Sequence, residues 1–135
     1  MHKQDWDELI RALRDTNIDQ AAAAAARLHK IATAEDLPRL LELLKDEDFF
    51  VREAAAWPVS ELAGPSALAV LLAAYQRGFD QGHDNDGFTT ALIELVQANR
   101  ELSREILHGL AEANTGAMRE NALWLLEFCG VSRDR

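Results

Sequence analysis

Apolar residues recur along the chain at helical spacing. Leu37, Leu40, Leu41 and Leu44 fall at i, i+3, i+4 and i+7, and Leu68, Leu71, Leu72 and Tyr75 repeat the pattern. Turn-forming residues separate the stretches: Asn17, Asp48, Gly64-Pro65, the run Gly78 to Gly87, Asn99 and Thr115-Gly116. Pro38 and Pro65 fall in first turns, where a missing N–H costs little. The pattern predicts eight helices in four antiparallel pairs. First helices are expected at roughly 5–15, 35–46, 66–77 and 101–113, and second helices at roughly 18–32, 49–63, 87–98 and 117–129.

The chain also resembles itself. A shift of 31 sets Leu13-Arg14-Asp15 on Leu44-Lys45-Asp46, Leu28 on Val59, and Leu37, Leu40 and Leu41 on Leu68, Leu71 and Leu72. A shift of 67 sets Val51-Arg52-Glu53-Ala54-Ala55-Ala56-Trp57 on Met118-Arg119-Glu120-Asn121-Ala122-Leu123-Trp124. Periods of this length mark stacked supersecondary units, none of which buries its apolar face alone.

The segment Leu44-Lys45-Asp46-Glu47-Asp48-Phe49-Phe50-Val51-Arg52-Glu53-Ala54-Ala55 resembles the HEAT-repeat signature: a first-helix end, an Asp turn, then a Val-Arg-x-x-Ala second helix. The second unit carries the full motif and the fourth part of it. The first has Ala21 in the arginine slot, and the third departs most. The resemblance implies an all-α fold, a right-handed α-α superhelix of about four antiparallel helix pairs, as one HEAT-like domain over residues 1–135. It also implies protein binding rather than catalysis, and a ladder between repeats in which Asp48 and Arg52 take the aspartate and arginine slots.

On a helical wheel the second helix of unit two places Val51, Ala55, Val59 and Leu62 on one side, the expected core. Glu53, Ala56, Trp57 and Ser60 point away. The equivalents in unit four are Glu120, Leu123, Trp124 and Glu127. Two tryptophans share one outward phase, and Trp is the commonest interface anchor. The competing reading folds each ring back over a neighbouring helix, and Pro58, mid-helix, can turn Trp57 off the expected direction. The run 78–87 exceeds an ordinary helix–helix link and reads as a polar, mobile rim loop carrying Asp84 and Asp86. It imitates a calcium loop, but the first ligand position is Gly82 and the closing-glutamate position is Ile93, so the register fails. The expected partner surface is therefore Glu53, Trp57, Ser60, Asp84, Asp86, Glu120, Trp124 and Glu127. Leu41 is expected in the core, so Leu41→Ala should cost about 2–5 kcal/mol; Glu53→Ala should cost about 0.5 kcal/mol or less.

Composition narrows the function. The 23 acidic residues against 14 basic give a net charge of −9, which disfavours nucleic-acid backbones and anionic membranes as partners and favours a protein with a basic surface. Twenty-three Ala and 20 Leu against five each of Val, Ile and Thr favour helix. One cysteine, Cys129, excludes an internal disulfide and fits a reducing, cytoplasmic setting. It lies in an apolar run and reads as a buried small hydrophobe. No apolar run reaches the length of a membrane span, and the polar start lacks a signal peptide's apolar stretch. The polar segments Met1 to Trp6 and Val131 to Arg135 read as the two ends of a complete chain. No pattern marks a metal site, a phosphate loop or a nucleophile elbow, so no cofactor and no enzymatic activity are expected. The sharpest expectation is an acidic immunity- or inhibitor-type protein, monomeric when free, that neutralises a basic partner such as a bacterial toxin nuclease. The alternative is an accessory or scaffold HEAT protein, for example one resembling bilin-attaching proteins, tested by adding a bilin and watching for a visible-band shift.

Overall fold

A computed structural model describes residues 1–130. Eight α-helices appear among them, and no strand: α1 (Lys3–Leu13), α2 (Ile18–Ile31), α3 (Leu37–Leu43), α4 (Phe49–Ala63), α5 (Leu68–Asp80), α6 (Asp86–Ala98), α7 (Arg100–Ala113) and α8 (Gly116–Leu126). Short 3-10 turns precede α3 and α5 and follow α8. The chain divides into two compact units, Met1–Ala63 and Gly64–Arg135.

In the first unit α1 pairs with α2 and α3 with α4, and α2 stacks on α4. The helices start where the sequence supplies acceptors. The Asn17 side chain accepts from the Asp19 and Gln20 N–H groups, and Asp48 Oδ1 accepts from the Phe50 N–H at 2.9 Å. The core is built from Leu9, Leu13, Leu28, Leu40, Leu44, Val51, Ala55 and Val59. Leu41 is only half-buried, whereas Leu40 is sealed, so the expected core position moves back by one residue. The buried stripe of α3 and its end is Leu40, Leu43 and Leu44, an i, i+3, i+4 face that leaves Leu41 at its margin.

Arg52 departs from its expected role as a ladder partner of Asp48. Its side chain has no exposed surface, and Nη1 donates to the carbonyls of Asp46 (2.7 Å) and Glu47 (3.1 Å). It thus holds the turn that ends the α3 region against α4. Arg14 instead links the two hairpins at this turn, donating to both oxygens of Asp46 at 2.9 and 2.5 Å. Burial of Asp46 is outweighed by that bond first, and by the Asp48 N–H and the Arg52 charge, so its carboxyl titrates below the ordinary aspartate range.

In the second unit α7 and α8 form the tightest pair, and α8 also lies against α5. The chain enters through Gly64, whose φ of +64° suits glycine. Leu68, Leu71, Leu72, Phe88, Leu92, Leu107 and Leu125 are fully buried. Arg119, the counterpart of Arg52, donates to the Ala111 carbonyl at 2.7 Å, so both arginines secure the end of the preceding helical segment. The expected 78–87 loop is shortened to residues 81–85: α5 runs on to Asp80 and α6 begins at Asp86. Asn85 draws the remainder inward, buried and donating from Nδ2 to the Tyr75 carbonyl at 2.8 Å.

By length and composition the stretch Phe49–Asp80 is apolar enough to cross a membrane, contrary to the expectation from apolar runs, but 56% of its apolar window is buried within the protein. Core packing accounts for its composition.

Candidate functional site

Trp57 sits on α4, half-buried, at the edge of a shallow cleft of about 370 Å³. The other lining residues are Ala25, Ala26 and His29 of α2 and Ala54 of α4. Three alanines keep the cleft open because none projects beyond its Cβ. The His29 ring lies 5.9 Å from the Trp57 ring, tilted by 47°. His29 Nε2 donates to Glu61 Oε1 at 2.7 Å, with both side chains substantially exposed. An indole and an imidazole therefore line one apolar-floored recess, and the imidazole is bonded to a carboxylate beyond its wall.

Ser60 and Ala56 are not part of this surface. Both are buried, and Ser60 Oγ donates back to the Ala56 carbonyl at 2.7 Å. The wheel fails here because α4 is covered on most sides, by α1, α2 and α3. A helix apolar almost all round has no single outward face. Glu53 is half-buried on the same helix. His29 and Glu61 escaped the sequence reading; their signal is their register with Trp57, since Glu61 lies one turn beyond it on α4.

In the second unit Trp124 has a different environment. Its ring stacks on Tyr75 of α5 at 5.6 Å with an interplanar angle of 6°, and meets Phe128 edge-on at 5.6 Å. Tyr75 in turn meets Phe79 at 4.8 Å. Asn121 adds a bond from Nδ2 to Gln76 Oε1 at 2.9 Å. This is the ring folded back over a neighbouring helix. Phe79 and Leu123 are left about half exposed, and Glu120 on α8 and Glu127 in the 3-10 turn after it are exposed.

Asp84 and Asp86 are exposed, and Asp84 Oδ1 accepts from the Asp86 N–H at 3.0 Å. The Asp84 charge pushes the Asp86 carboxyl up from its ordinary value. Neither is near enough to other donors to form a group of three or more potential metal ligands among the described residues. Cys129 is sealed, and burial pushes its thiol up, which disfavours the nucleophilic thiolate.

The architecture is that of a helical-repeat protein. The family model for HEAT repeats matches residues 6–82, more than half of the 135-residue chain, and the chain belongs to that family. HEAT repeats generally mediate protein–protein interaction and are generally non-catalytic. No curated protein and no solved structure matches the chain.

Proposed function

We propose that this chain is an acidic protein-binding module that docks a partner with a basic surface and blocks it, in the manner of an immunity or inhibitor protein acting on a basic toxin domain in the cytoplasm. The observation that carries the reading is the open recess at Trp57, whose apolar floor adjoins a His29 ring bonded to the Glu61 carboxylate, on a chain of net charge −9. Negative charge accelerates encounter with a basic protein, and an aromatic anchor slows release. HEAT family membership supports the coarser part of the proposal, binding to a protein. The bilin-accessory alternative has no particular observation in its favour.

The test is recovery of a partner by affinity capture, followed by titration at two salt concentrations. Binding that weakens with salt and with Trp57→Ala supports the proposal. A partner whose affinity is indifferent to both refutes it.

A further inference from the structure

We propose that the Trp57 recess is a receptor for one arginine side chain of the partner, and that His29 occupies it as an internal stand-in when no partner is bound. This rests on the reading of the chain as a binder of basic protein and specifies the group it would recognise.

Three observations converge on a guanidinium. The recess sets an indole over an alanine floor, and the Glu61 carboxylate lies one hydrogen bond from the His29 ring on its wall, so a planar cation taking the place of that ring would meet the indole while donating to the acid. A methylene stem suits the apolar floor. Second, a planar nitrogen base already bridges the two groups: the His29 ring lies tilted beside Trp57 and donates to Glu61, with both side chains substantially exposed. Third, the same chain builds the full trio elsewhere in this unit. Arg39 lies 4.5 Å from the Trp6 ring centroid and donates to Asp36 Oδ1 at 2.7 Å. There the indole, guanidinium and carboxylate are all internal. At Trp57 the indole and carboxylate are bridged instead by a shorter side chain, the His29 imidazole.

The experiment titrates the whole chain with blocked Gly-Arg-Gly, Gly-Lys-Gly and Gly-citrulline-Gly peptides. The Trp57 indole N–H and His29 ring signals are followed by NMR. Arginine is expected to give saturable shifts at both residues. Lysine should bind several-fold more weakly and citrulline, isosteric but uncharged, at least about tenfold more weakly, the factor that corresponds to about 1.4 kcal/mol. Glu61→Gln should weaken arginine binding about tenfold, and Ala26→Leu, a filling change at an exposed position, should abolish it. His29→Ala should strengthen it about threefold by removing the competitor, whereas a histidine that merely supported the recess would give the opposite sign.

The proposal is overturned by an absent or non-saturating shift, by citrulline or lysine matching arginine, or by weaker binding in His29→Ala. Failure of the wider reading is distinguishable. A captured partner that still depends on Trp57 while the arginine peptide is silent overturns the guanidinium receptor alone. A captured partner indifferent to Trp57→Ala overturns both.

Discussion

Replacing Arg52 with alanine tests the account of how the first unit holds together. The side chain is fully buried and donates to two carbonyls, those of Asp46 and Glu47. Hydrogen bonds from a charged donor contribute about 1.5–3 kcal/mol each. Glu47 is exposed and Asp46 half-buried, so water recovers part of the second bond once the arginine is gone. Loss of the packed stem adds to the cost. The expected destabilisation is about 3–4 kcal/mol, a large part of the roughly 5–15 kcal/mol that holds a domain together.

Urea unfolding followed by helical circular dichroism reads this directly. With a slope of about 2 kcal/mol per molar, the midpoint should fall by about 1.5–2 M. Two variants sharpen the result. Arg52→Met keeps the stem and loses the bonds, and should recover only a minor part of the stability. Arg119→Ala, at the corresponding but exposed position with one bond to the Ala111 carbonyl, should cost about 1 kcal/mol. If Arg52→Ala costs less than about 1 kcal/mol, or no more than Arg119→Ala, the carbonyl clamp does not hold the unit.

Other outcomes follow from the same geometry. Trp124→Ala should destabilise by about 2–4 kcal/mol because it removes a ring stacked on Tyr75, whereas Trp57→Ala should cost about 1–2 kcal/mol; equal losses in thermal unfolding would contradict the two environments. Leu40→Ala should cost about 3 kcal/mol and Leu41→Ala about 1 kcal/mol, and the reverse order would place the core on the wrong face of α3. Burial opposes ionisation of Asp36, but the Thr33 N–H, Arg39 and the terminal ammonium outweigh it and hold its carboxyl below the ordinary 3.8, as Arg14 does for Asp46. A depressed carboxylate stabilises fully above the unfolded value and loses that contribution as pH falls through the folded one. Stability should therefore drop below about pH 4, and Asp36→Asn should flatten the drop; an unchanged acid limb would contradict the Asp36 network. Cys129 should react with a thiol reagent only at the rate of unfolding, and rapid labelling of the native chain would contradict its burial.

The helices were legible because each alternates apolar stripe and turn residue over many positions. The boundaries of α4, Phe49–Ala63, coincide with those expected, since Asp48 supplies the start and Gly64 the stop. What the pattern misjudged was every feature decided by a neighbouring element. Phase alone points Ser60 and Ala56 outward, but both are buried, because phase is informative only when one side of a helix meets solvent. The glycines and aspartates of residues 78–80 and 86–87 predict loop, yet Gly78 is buried inside α5 and the Asn85 amide ties the crossing to the Tyr75 carbonyl. Arg52 was recognised as structural from its position, while its acceptors, two carbonyls, leave no trace in side-chain identity. The segment Val131 to Arg135, read as a polar end, lies outside the described residues.

The two Arg-Glu-x-Ala-x-Trp segments separate what a motif encodes from what its surroundings decide. On α4 and α8 the arginine does the same work, bonding backwards to a carbonyl near the end of the preceding helical segment, because that carbonyl exists wherever one helix ends and the next begins. The tryptophan has no such local partner, so its fate depends on the helix across from it. Opposite Trp124 stands Tyr75, large and planar, and the two rings close on each other. Around Trp57 stand Ala25, Ala26 and Ala54, too small to cover an indole, with only the His29 ring leaning over it. The alanine run 21–26 thus has two effects. Ala21 and Ala24 are buried, whereas Ala25 and Ala26 help keep the Trp57 recess open. Substituting a leucine at Ala26 should carry Trp57 toward the covered state of Trp124, raising stability slightly while closing the recess. A function located at Trp57 therefore depends as much on the absence of bulk on α2 as on the tryptophan itself.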